Sequence, residues 1–84
     1  MSATPDYHRT DDELVSLLSQ WLMRSLGNDE LRKRIEEIGT DELAPAQRDA
    51  VNELLAELRN AAPGERGMLE VVVRETVETL VYGD

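Results

Sequence analysis

Apolar positions in this chain recur mainly at three- and four-residue spacing, the period of helices with one buried face. Leu14, Leu17, Leu18, Trp21 and Leu22 fall on one side of a first helix, and Val15 and Leu26 widen its apolar arc. Thr10 followed by Glu13 has the form of a capping box, Asp11 and Asp12 suit the positive end of the helix dipole, and Gly27 supplies a left-handed stop. A second, shorter helix is predicted with Asn28 or Asp29 as its cap, a narrow stripe of Leu31, Ile35 and Ile38, and Gly39 as its end. A third runs from Pro45, where a missing N–H costs nothing, to about Asn60, and buries Val51, Leu54, Leu55 and Leu58.

The segment "AAPGERG" is the strongest breaker in the chain, and Pro63 within it is a candidate to open the last helix. In "MLEVVVRETVETLVY" two periods compete. β-Branched residues alternate well enough for a strand, while Leu69, Val72, Val73, Thr76, Val77 and Leu80 fit one helical face. No other segment offers a strand to pair with, and an unpaired strand leaves its ladder of N–H and C=O groups unsatisfied. The helix is therefore the reading, and the expected fold is all-α: a compact bundle of four helices, the second short. Residues 1–9, polar and without periodicity, read as a flexible arm preceding one helical domain over 10–84.

Charge narrows the function classes. Eighteen acidic side chains against nine basic give a net charge of −9, which repels nucleic-acid phosphates and anionic lipid heads, so neither is an expected partner. The first residues hold no apolar core of the kind a secretion signal needs, no apolar run reaches membrane-spanning length, and cysteine is absent. A cytoplasmic address follows as the expectation.

Candidate chemistry is sparse. The lone His8 lies in the arm with no second ligand near it in sequence, so neither a serine–histidine pair nor a metal site is expected there. Glu36, Glu37, Asp41 and Glu42 cluster around the second loop, but without the alternating oxygen positions of a helix–loop–helix calcium site. Acid–base work by such carboxylates needs an enclosing pocket to separate their pKa values, and so small a domain has little interior left after filling its core. No enzyme activity, metal or cofactor is expected.

Within that loop "IGTDEL" places Ile38, Gly39, Asp41 and Leu43 as in the leucine-glycine-any-aspartate-serine-leucine signature, and so resembles the acyl carrier proteins, whose size, acidity and helix count are also similar. The resemblance implies a carrier-type helical fold without the attachment chemistry, because Glu42 stands where the family has the serine that takes phosphopantetheine. Pro45 interrupts what would be the recognition helix, and the stretch from Gly27 to Gly39 is short for the family's first long loop. A glycine stop followed by an acidic helix start gives the same pattern by capping alone, and that is the preferred reading.

What remains is an interaction module that binds another protein as an adaptor, inhibitor or accessory subunit. The alternatives are an acyl-carrier-like domain lacking its serine, and an acidic nucleic-acid mimic that occupies the basic groove of a DNA-binding protein. On the last helix Val71 and Tyr82 point away from the core with Glu75 and Glu78 between them, and Asp49, Glu53 and Glu57 line the outward side of the third helix. These seven are the candidate partner-binding residues. They suit a protein with a basic surface, or a homodimer through antiparallel final helices in which acids approach acids unless Arg74 intervenes.

Overall fold

A computed structural model describes residues 10–62 and 64–83. Among the described residues the chain forms four helices, α1 (Thr10–Leu22), α2 (Asn28–Ile38), α3 (Pro45–Asn60) and α4 (Gly67–Tyr82), of which α2 is the shortest at 11 residues. The expected all-α bundle is observed, and the disputed final segment is helical. Each helix packs on its neighbours in a ring: α1 on α2 and α4, α3 on α2 and α4. Among the described residues the diagonal pairs, α1 with α3 and α2 with α4, do not approach within 8 Å between Cα atoms. The arm expected over residues 1–9, with His8, lies outside the described residues.

The core is the one the three-and-four spacing picks out. Leu14, Leu17, Leu18 and Trp21 of α1 meet Leu31 and Ile35 of α2, Val51, Leu54, Leu55 and Leu58 of α3, and Leu69, Val73 and Leu80 of α4. Leu26 and Leu43 add to it from turns. Thr76 is buried on the same face of α4, and its hydroxyl donates to the Val72 carbonyl at 2.8 Å, so its polar atom is satisfied inside the helix. Each fully buried leucine stabilises the fold by about 1.5–3 kcal/mol before the cost of ordering is counted.

Four boundaries differ from expectation. α1 stops at Leu22, four residues before Leu26. The stop is a Schellman turn: Arg24 takes the left-handed conformation at φ 66°, its N–H donates to the Trp21 carbonyl, and the Ser25 N–H reaches back to the Gln20 carbonyl. Gly27 is extended at φ −84° and precedes α2 instead of closing α1. An arginine in this conformation costs about 1 kcal/mol more than a glycine, and no glycine stands there to advertise the stop.

Thr10 is already the first residue of α1, and among the described residues its hydroxyl donates to Glu42 Oε1 at 2.9 Å instead of forming a box with Glu13. Asn28 does not cap α2 but begins it, and its side chain is turned to tertiary partners. α4 begins at Gly67, beyond the breaker, so Pro63 does not open it. At α3, the Gln47 side chain accepts from the Ala44 N–H at 3.0 Å and donates to the Leu80 carbonyl at 3.0 Å. One buried amide thereby caps the start of α3 and holds the end of α4, with no apolar periodicity to mark it.

Candidate functional site

The outward face of α4 follows from its inward one. With Leu69, Val73, Thr76 and Leu80 buried, the 100° step per residue turns Val71, Glu75, Glu78 and Tyr82 to the opposite side, and all four are exposed. Among the described residues, the chain has five exposed large apolar side chains, and four belong to this helix: Tyr82 at 76%, Met68 at 69%, Val81 at 60% and Val71 at 50%. The fifth, Met23, lies in the turn after α1. Single exposed leucines or valines are ordinary; four such residues on one helix of 16 are a concentration. The outward pair expected from sequence thus belongs to a larger set, since Met68 and Val81 are exposed on the two flanks of that face.

Asp49, Glu53 and Glu57 are exposed along α3, as the pattern indicated. α3 and α4 are packed together, which brings Glu53 and Glu75 to the same shallow groove. Its floor is Ala50, Val72 and Thr76, Thr79 completes its side, and its volume is about 120 Å³. At about 30 Å³ per water, that is room for one side chain and not for a small molecule.

Of the basic residues near this surface, Arg74 stands exposed on α4 itself, while Arg59 and Arg48 are engaged elsewhere. Arg59 pairs with Glu36 of α2 at 2.9 Å, and Arg48 donates to the carbonyls of Thr40 and Leu43 in the turn before α3. The other ion pairs among the described residues, Arg32 with Glu36 at 3.2 Å and Arg34 with Glu30 at 3.6 Å, are spaced four residues apart on α2. The hydrogen bond from Arg59, reinforced by the charge of Arg32, holds the Glu36 carboxyl below its ordinary pKa. Among the described residues no ion pair involves Asp49, Glu53, Glu57, Glu75 or Glu78. Arg32, Arg34 and Arg59 thus pair with acids of α2, while on the α3–α4 side these five exposed acids face only Arg74 as an exposed base with neither ion pair nor side-chain hydrogen bond among the described residues.

The four carboxylates that cluster in sequence around the second loop part company in space. Glu36 is held by two arginines, Glu42 receives the Thr10 hydroxyl, Glu37 turns to a cleft between α1 and α2, and Asp41 is exposed in the turn. Glu42, the residue at the carrier-signature position, lies in that turn before α3 and not in a helix. No group of three or more His, Asp or Glu side chains among the described residues is placed to hold a metal ion. The α1–α2 cleft is larger, about 400 Å³, and open; carboxylates of Asp12, Glu13 and Glu37 rim it. Leu17 and Ile38 give it an apolar wall beside those acids, and Arg34 also lines it.

No known protein family, characterised protein or solved structure matches the chain. Function is therefore read from the molecule's own surface. Among the described residues no helix is long and apolar enough to cross a membrane.

What holds α4 in place is a constellation the sequence pattern did not announce. The turn after α3 is closed by the Ala62 N–H donating to Glu65 Oε1 at 2.9 Å and by the Glu65 N–H donating to the Ala62 carbonyl at 3.0 Å. It offers the Glu65 carbonyl to Asn28 Nδ2 at 2.9 Å, while Asn28 Oδ1 accepts from Trp21 Nε1 at 2.8 Å. Arg66, the residue just before α4, lays its guanidinium 4.1 Å from the indole centroid and donates to the carbonyls of Trp21 and Leu26 at 2.7 and 2.8 Å. One arginine thus caps the end of α1 and covers the tryptophan at the point where α4 begins.

Proposed function

We propose that this chain is a non-catalytic protein-binding module, an adaptor, inhibitor or accessory subunit, that engages its partner through the outer face of α4. The observation that carries this is the concentration of Met68, Val71, Val81 and Tyr82 on one solvent-facing helix. Exposed apolar surface of this kind is a standing cost in water that a partner removes, and Tyr and Met are residue types enriched where proteins meet. The unpaired acids beside it favour a partner with a basic surface and disfavour nucleic acid and anionic membrane.

The test compares affinity capture from the source cells by the wild type and by a Val71→Gln, Tyr82→Gln variant, which removes apolar surface without changing charge. Both positions are exposed, so the variant keeps its helical circular dichroism and melts within a few degrees of the wild type. The wild type is expected to retain a discrete protein that the variant loses. Capture of the same proteins by both would refute the assignment of the surface.

A further inference from the structure

We infer that the α3–α4 surface is built to seat an amphipathic helix whose apolar stripe is flanked by lysine or arginine, and not a second copy of this chain. The inference deepens the proposed reading of the α4 face and rests on it. The apolar strip on α4 and the groove beside it form one continuous surface, from Glu53 across Ala50 and Val72 to Glu75 and on to Val71 and Tyr82. The groove floor is apolar and has carboxylates on both sides, Glu53 of the α3 row on one and Glu75 on the other, while Val71, Glu78 and Tyr82 lie beyond Glu75 on the outer face of α4. None of these acids has an ion-pair partner among the described residues, whereas the acid-rich α2 has its own arginines.

The spacing favours a helix as occupant. Asp49, Glu53 and Glu57 are four residues apart and so rise about 6 Å from one to the next, and Glu75 and Glu78 are three apart. A helix lying alongside presents its own side chains at the same intervals, so basic residues on its two flanks meet both rows in register. The groove floor, about 120 Å³, takes one inserted apolar side chain from its stripe.

A second copy fits poorly because symmetry pairs like with like. A two-fold axis at the middle of α4 sets Glu75 beside its own copy and presses Glu78 against Val71 of the other copy. Arg74 meets its own copy on the far flank, so it offers no relief to either acid. A basic partner reverses the sign of every one of these contacts except that of Arg74.

The probe is a synthetic amphipathic peptide of roughly 18 residues, long enough to hold a helix, with a leucine stripe flanked by lysines. It is compared by NMR titration of the labelled chain with the same peptide carrying glutamates for lysines, and with a scrambled lysine peptide that lacks the stripe. The lysine peptide is expected to shift the amides of Ala50, Glu53, Val72, Glu75 and Thr79 and to bind more weakly as salt rises. Substituting Glu53→Gln with Glu75→Gln is expected to weaken it about five-fold.

The inference is overturned if the lysine peptide does not bind, if the scrambled or acidic peptide binds equally well, if its shifts spread equally over α2, or if the two glutamines change nothing. Concentration-dependent dimerisation of the chain through α4 likewise overturns it. Should the peptide fail while the Val71→Gln, Tyr82→Gln variant still loses its captured protein, the α4 reading stands and the helical basic partner does not.

Discussion

Replacing Trp21 by alanine is expected to destabilise the chain by about 3–5 kcal/mol, the range for removing a large buried aromatic. Total stability for a chain of this size is on the order of 4–12 kcal/mol, so the loss takes from about a quarter of it to all of it. The side chain is 0% exposed at the point where α1, α2 and the turn before α4 converge, and no other aromatic shares the described core. Its loss leaves a cavity among short aliphatic side chains that cannot swing in to fill it. It also strips Asn28 Oδ1 of its donor and Arg66 of the ring beneath it. Trp21→Phe separates these effects in part, because it keeps an aromatic ring and most of the volume while losing the N–H; about 1–2 kcal/mol is expected. Urea denaturation followed by circular dichroism measures both. Unchanged midpoints with unchanged slopes would contradict the packing described for the indole.

Arg66→Ala is expected to cost about 1.5–3 kcal/mol although the residue is only half-buried. Two charge-assisted hydrogen bonds and one cation–π contact converge on its guanidinium, and all serve the junction of α1, α2 and α4. Water can replace part of the bonding at the two carbonyls, which holds the estimate below the sum of the separate contacts. Arg66→Lys should recover less than half of the loss, since an ammonium cannot reach both carbonyls and lie flat over the ring together. The two substitutions share partners, so Arg66→Ala made in a Trp21→Ala background should cost clearly less than in the wild type. Full recovery by lysine would show that charge alone, and not the planar fork, is what the junction needs.

The parts of this fold legible in the sequence are those written in periodicity. The face that buries Leu14, Leu17, Leu18 and Trp21, the α3 row from Val51 to Leu58 and the helical choice for residues 68–82 all follow from the 3.6-residue repeat. The parts missed depend on single side chains with long-range partners. Nothing local marks Arg24 as a left-handed stop, since the glycine that usually signals one is three residues further on. Asn28 and Thr10 have cap chemistry, but their side chains serve partners 7, 37 and 32 residues away. The breaker around Gly64 reads as punctuation, whereas Glu65 and Arg66 within it are the residues that position α4.

The candidate surface was legible to the same degree. Val71, Glu75, Glu78 and Tyr82 follow from the helical step alone, while the meeting of Glu53 with Glu75 across a groove requires knowing that α3 and α4 are neighbours. The carboxylates around the second loop show the converse: closeness in sequence at a turn did not bring Glu36, Glu37 and Glu42 to one place.

The central claim is that the outer face of α4 meets another protein in the cell, and site-specific photo-crosslinking reads it without assuming what that protein is. A photoreactive amino acid is placed at Val71 or Tyr82 on that face, and, as a control, at Lys33, which is exposed on α2. Irradiation of living source cells is expected to give one discrete adduct from positions 71 and 82 and none from 33. A discrete adduct from position 33 with none from 71 or 82 would contradict the account.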